Sequence, residues 1–226
     1  MFRVLSLLLL PLITSLPAQG ALSIDRALLV FEPGKPARQD VNAGNSGENN
    51  LFLEVEVLEV TRPGTPEEER QAIRDPESIG FIAAPRRLMV PPGGKRPVRM
   101  MNLIGHGDTE RVYRVNIRPV LPPVESSGLG VRIVVAYQVL VFVAPRQTRV
   151  ELNARREGNR LLLTNRGNVN ILLSNGSHCP MLGALDCDDL KGRRLYPGNE
   201  WVVELPGNGP VQFDVETGGK RNRQSF

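Results

Sequence analysis

Beyond residue 21 the chain alternates apolar and polar positions with a period of two. Leu51, Leu53, Val55 and Val57 interleave with Phe52, Glu54 and Glu56. This is the pattern of a strand with one buried face, because successive side chains of a strand point to opposite sides. Segments 22–31, 87–90, 98–104 and 111–120 predict further strands. Turn clusters lie between them: Glu32-Pro33-Gly34, Asn42 to Gly47, Pro91 to Gly94 and Gly105 to Asp108. Segment 61–80 is polar and charged, which predicts a loop with at most one helical turn around Glu67–Ile73.

One apolar run stands apart. Residues 131–143 are dominated by β-branched side chains, which favour strand over helix. At ~3.3 Å per residue such a strand would reach roughly 43 Å, about twice the usual length. Val131, Ile133, Val135, Tyr137, Val139, Val141 and Val143 share one face, and Arg132, Val134, Ala136, Gln138, Leu140 and Phe142 share the other. The second face is apolar enough for a core, which leaves the first needing cover from elsewhere. A central strand buried on both faces within the chain is the competing expectation.

Ala144-Pro145 ends the run, since proline removes a ladder donor. A second set of strands is predicted at 148–153, 159–164, 169–174, 193–195, 200–205 and 210–216. The expected architecture is therefore all-β, with two immunoglobulin-like sandwiches over 21–145 and 146–226. The basic tail Lys220-Arg221-Asn222-Arg223, running on to Phe226, is expected to fray.

The N-terminus changes the setting. Arg3, an apolar stretch from Val4 to Leu16, and small residues at Ala18 and Gly20 have the layout of a cleaved signal peptide over 1–20. The apolar stretch is shorter than the ~20 residues that span a bilayer. No later stretch is long and uncharged enough to span, so no stable membrane insertion is expected. Export places Cys179 and Cys187 in an oxidising compartment, where a local disulfide is the expected state. A metal site from His178, Cys179, Asp186, Cys187 and Asp188 is the competing idea, and it lacks a recognisable ligand spacing.

Composition narrows the chemistry. The charge of +4, or +3 without Arg3, is too balanced for a dedicated nucleic-acid binder. With 2 His in 226 residues there is little material for a histidine-based centre. Nucleophile-elbow, phosphate-loop, zinc-protease and dinucleotide motifs are absent. Neither catalysis nor a cofactor is expected, and His106 in its glycine turn is expected to be a solvated loop residue.

Several motifs in sequence are familiar. They are Ala21-Leu-Ser-Ile-Asp-Arg26, Pro92-Gly-Gly-Lys95 with Val98-Arg99, and Asp108-Thr-Glu110 leading to Asn116-Ile-Arg118. With the long strand before the interdomain proline, they resemble the periplasmic chaperones of chaperone–usher pili. Glu110 to Val115, Val143 to Gln147, Leu163 to Asn168 and the cysteine pair resemble the alternate, common-pilus branch. The resemblance implies two sandwiches set at an angle like a boomerang. It implies that pilin subunits lacking a strand are bound by donor-strand complementation and delivered to an outer-membrane usher in the periplasm. By similarity the donor residues are Val131, Ile133, Val135 and Tyr137. The family's two carboxylate-holding positions fall on Leu28 and Leu140 here, so the pilin C-terminus needs other cations. Arg114 is the first candidate, with Arg26, Arg132 and Arg111 beside it. The competing function is an exported structural module, a fimbrial subunit or adhesion domain whose long strand is satisfied internally.

Overall fold

A computed structural model describes residues 22–73, 80–120, 134–181, 184 and 186–226. Its first ten strands are β1 (Leu22–Ile24), β2 (Leu28–Phe31), β3 (Arg38–Asn45), β4 (Leu51–Thr61), β5 (Glu69–Ala72), β6 (Phe81–Ala84), β7 (Arg87–Val90), β8 (Lys95–Asn102), β9 (Arg111–Pro119) and β10 (Tyr137–Val143). They form two sheets, ordered β1-β3-β8-β6 and β2-β10-β9-β4-β5, with β7 also on β4. Inward faces meet in one core that includes Phe31, Phe81, Tyr113, Val139 and Val141. Phe81 stacks on Tyr113 with ring centroids 4.6 Å apart.

The second group comprises β11 (Leu152–Glu157), β12 (Arg160–Asn165), β13 (Ile171–His178), β14 (Asp188–Leu190), β15 (Arg193–Leu195), β16 (Glu200–Glu204), β17 (Val211–Thr217) and β18 (Lys220–Ser225). Its sheets are β11-β12-β16 and β14-β13-β17-β18, with β15 on β13. They enclose a separate core around Leu163, Ile171, Leu173, Val211 and Phe213. The fold is all-β in two sandwiches, as the alternation predicts.

Several local expectations are corrected. Segment 22–31 is two strands rather than one: β1 pairs with β3 in one sheet, and β2 pairs with β10 in the other. The chain changes sheets at Asp25–Ala27, where Asp25 accepts hydrogen bonds from the Asn42 backbone N–H at 2.9 Å and side-chain Nδ2 at 2.7 Å. Asn42 to Asn45, expected as a turn, belongs to β3, whose Val41 and Ala43 are fully buried. Segment 69–72, expected in a loop, pairs with Leu58 to Thr61 as a hairpin. The tail does not fray. It forms β18 along β17, and Phe226 packs on Phe213 with centroids 6.3 Å apart.

Cys179 and Cys187 form the expected disulfide, their Cα atoms 4.2 Å apart. No cluster of three metal-ligating side chains occurs among the described residues. His106 is not merely solvated: its Nδ1 lies 2.7 Å from the Ala144 carbonyl oxygen, close to the junction of the sandwiches.

Candidate functional site

The long strand behaves differently along its length. From Leu140 to Val143 it is hydrogen-bonded in register with β2 on one side and β9 on the other. From Tyr137 to Val139 it pairs with β9 alone. Residues 134–136 are not strand among the described residues. The cause is the sheet change of the first segment, which takes the chain before Leu28 over to β3 and leaves that β10 edge without a neighbour among the described residues. Leu140 N–H donates to the Ala27 carbonyl oxygen at 2.9 Å. In an extended strand, residues of the same parity point their N–H and C=O groups to the same edge. The main-chain groups of Gln138 therefore face the open edge.

Burial reverses the face expected to need cover. Val139, Val141 and Val143 are buried in the first core, so this face is the core side. Tyr137 is partly buried against the same core and Val135 is half-buried, which makes the proposed donor side a continuation of it. Val131 and Ile133 lie outside the described residues. The opposite face carries Leu140 and Phe142, and it packs toward the second sandwich rather than into the first core.

That opposite face floors a cleft between the sandwiches. One row across the sheet places Leu28, Leu140, Arg114 and Leu58 side by side. The next row places Val30, Phe142, Val112 and Val60. Val60, Val112 and Phe142 gather with Tyr196 of the second sandwich into a small apolar cluster that joins the two halves. Leu28 and Val30 remain 45% and 38% exposed beside it. A cavity of about 160 Å³ opens here, lined by Leu28, Val30, Phe142, Val169, Asn170 and Arg194.

The anchor candidates separate by parity. Arg114 lies on the cleft face, and its Nε is buried without a hydrogen-bond partner. Arg111 lies on the other face and is engaged internally with the Tyr113 hydroxyl at 3.1 Å, Asn102 Oδ1 at 3.0 Å and the Gly105 carbonyl oxygen at 2.6 Å. Arg26 donates to the Asp40 carbonyl oxygen. Arg132 lies outside the described residues. Leu28 and Leu140, the positions where the resemblance expects cations, face one another directly, and Arg114 is the next residue in their row.

Three residues whose roles sequence reasoning missed complete the junction. Glu110 is half-buried and its carboxyl is pushed up to about 7, because loss of hydration outweighs its hydrogen bonds from Asn170 and the nearby Arg194 charge. Asn170 donates through Nδ2 to both Glu110 oxygens, at 2.9 and 2.8 Å, and through its backbone N–H at 3.1 Å. Arg194 donates to Asn170 Oδ1, and its guanidinium carbon sits 5.1 Å from the centre of the Phe142 ring. Burial pulls the Arg194 pKa down. These contacts join residues 24 to 60 positions apart, which no local spacing announces.

No family model matches the chain. Among curated proteins it is similar to a CS1 fimbrial protein of Escherichia coli, named as a fimbrial subunit, at 24% identity over 192 residues, covering 77% of this chain and 80% of that protein. Among solved structures it is similar to the class 5 fimbriae chaperone CfaA, with 20% identity, TM-score 0.68 and coverage of 90% and 98% of the two chains. The E. coli chaperone DraB gives 19% identity, TM-score 0.65 and coverage of 92% and 96%. The SafB chaperone, solved with the SafA pilin of Salmonella enterica, gives 14%, 0.63, and coverage of 92% and 96%. At these identities the likeness is one of architecture, and it spans both halves of the molecule: the chain has the two-domain β-sandwich fold of the fimbrial chaperones.

Proposed function

We propose that the protein is a periplasmic chaperone that caps fimbrial subunits lacking a strand and hands them to an outer-membrane usher. The observation that carries this is the half-paired β10. Its β2-side edge has no partner before Leu140 among the described residues, while its core-facing side chains continue through Tyr137 toward Val135. A subunit with a missing strand has the complementary defect, an exposed edge and an apolar groove prone to aggregate. Main-chain pairing along β10 supplies affinity, and Val131, Ile133, Val135 and Tyr137 entering the groove supply register and selectivity. At ~25 cal/mol per Å², four such side chains contribute several kcal/mol before ordering costs. The action is binding and needs no catalytic step.

Arg114 is the proposed holder of the subunit's C-terminal carboxylate. It lies in the row of Leu28 and Leu140, on the cleft face, with its Nε desolvated and unpaired. An arginine fork matches a carboxylate with two charge-assisted hydrogen bonds.

The test is co-expression with the cognate pilin. Ile133→Asp with Val135→Asp should abolish the one-to-one periplasmic complex while the free protein stays folded. Unfolding of the free variant would instead make these residues internal core, as the structural-module reading requires. Arg114→Ala should lower periplasmic pilin, and unchanged levels would remove Arg114 from the anchor.

A further inference from the structure

Glu110 stands in the first sandwich and takes its partners from the second. Its backbone N–H donates to the Asn168 carbonyl oxygen at 2.9 Å. Its carboxyl oxygens accept from the Asn170 backbone N–H at 3.1 Å and from Nδ2 at 2.9 and 2.8 Å. Among the described residues no cation bonds to this carboxyl. Arg194 on β15 is turned toward Asn170 Oδ1 and the Phe142 ring, and it acts on Glu110 only through space. The other ionisable groups around Glu110 are engaged or of the wrong sign. On β9 itself, Arg111 points to the opposite face, where it binds Tyr113, Asn102 and Gly105, and Arg114 lies further along the same face. Glu32, after β2, and Glu216 on β17 line the same cavity, and Glu216 pairs with Arg221 at 2.8 Å. In the preceding turn His106 is held to the Ala144 carbonyl oxygen, and Asp108 lies 3.9 Å from Arg146. Tyr196 is kept uncharged by burial.

A carboxylate that exchanges water for neutral donors alone is poorly compensated, so its charged form is disfavoured while the sandwiches are docked. The raised carboxyl, near 7, agrees with this geometry. Released into water, the same group titrates in the ordinary carboxylate range. The docked state therefore binds the proton more tightly than an opened one, and acid favours docking. Each sandwich encloses its own core, so the junction can part with both cores intact. The cavity of about 160 Å³ beside Glu110 is lined from both sandwiches and gives solvent a path to the carboxyl. We propose that Glu110 is a proton-operated latch between the sandwiches: uncharged, it keeps the second seated on the first, and ionised, it releases Asn170 and lets the junction open. The latch belongs to the free protein and does not depend on what the cleft binds.

The test is native-state amide exchange on the full-length mature protein at pH 5 and pH 8, corrected for the intrinsic pH dependence of exchange. The Asn170 N–H, bonded to Glu110, reports the junction, and the N–H of Leu173, fully buried in the second core, reports global unfolding. In wild type Asn170 should exchange faster than Leu173 and lose about tenfold or more of its protection at pH 8. Glu110→Gln, which cannot ionise, should keep Asn170 equally protected at both. Arg194→Gln removes the positive charge that favours the ionised form, so it should move the midpoint of the change to higher pH. That second variant decides the matter even where Glu110→Gln fails to fold. Asn170 exchanging no faster than Leu173 means that the junction opens only when the protein unfolds, which overturns the latch. Wild-type protection that is flat with pH means that Glu110 ionises in place, hydrated through the cavity, and overturns it too. An unmoved midpoint in Arg194→Gln assigns the titration to another group, with the same consequence.

Discussion

Glu110 keeps its proton to about pH 7 because burial at the junction costs the carboxylate more than Asn170 and Arg194 return. Its folded pKa lies above the value of 4.5 expected in the unfolded chain, so between those values the folded protein binds the extra proton. Its contribution is full below about pH 4.5 and is lost as pH rises through about 7. Over that window stability should fall by on the order of 2–3 kcal/mol. Urea unfolding at pH 5 and pH 8 should show the fall for wild type and a flattened profile for Glu110→Gln. Equal slopes for the two proteins would assign the pH dependence elsewhere. Arg111 and Arg114 show what was legible at this scale. Three positions apart on one strand, they must point to opposite faces, and that parity alone separates the internally bonded Arg111 from Arg114 in the cleft. Arg194 was not legible, because Asn170 reaches it through strand pairing inside the second sandwich and Phe142 only after the two domains have docked.

At the scale of elements, alternation located most strands, and its failures have physical causes. β5 reads Glu-Arg-Gln-Ala and is exposed throughout, so no buried face marks it in sequence. Its stability comes from pairing with β4 and from Arg62–Glu69 at 2.6 Å. The basic β18 was hidden likewise, because Arg223 meets Asp214 and Arg221 meets Glu216 across a hairpin that charge composition alone represents as solvated. Asn42-Ala-Gly-Asn45 looks like a turn, yet these small residues lie against β1 and β8. A Cβ on Gly44 would stand 2.7 Å from Ser23 Oγ. The β4–β5 hairpin carries a domain contact of its own. Gly64 has φ +73°, its carbonyl accepts from Arg193 at 3.1 Å, and a Cβ there would lie 2.6 Å from Asn199 Oδ1 and 2.8 Å from the Tyr196 ring. Gly64→Ala should destabilise by about 1–3 kcal/mol. Gly34→Ala, with φ +75° but open space around it, should show only the backbone part of that loss. Equal drops in melting temperature for the two would mean that the hairpin tip does not press on the second domain.

At the scale of the whole molecule, the two sandwiches are clasped on both sides of the linker. On one side Asn168 Nδ2 donates to the Asp108 and Gln147 carbonyl oxygens, each at 2.8 Å. On the other, Glu110–Asn170 and the Phe142–Tyr196 cluster close the cleft. The open stretch of β10 and the Arg114 row share one sheet of the first sandwich, beside this junction. The two-sandwich plan was legible because strand alternation and an interrupting proline are local signals. The cleft was not, since it exists only between domains. The central claim, that β10 offers an unpaired edge to a pilin strand, is tested most directly by amide hydrogen exchange at Gln138, with and without bound pilin. This amide should exchange quickly in the free protein and slow by about a hundredfold or more in the complex, as those of Val139 and Val141, already paired with β9, do not. Protection of Gln138 in the free protein, or no change in a stable complex, would contradict donation of this strand.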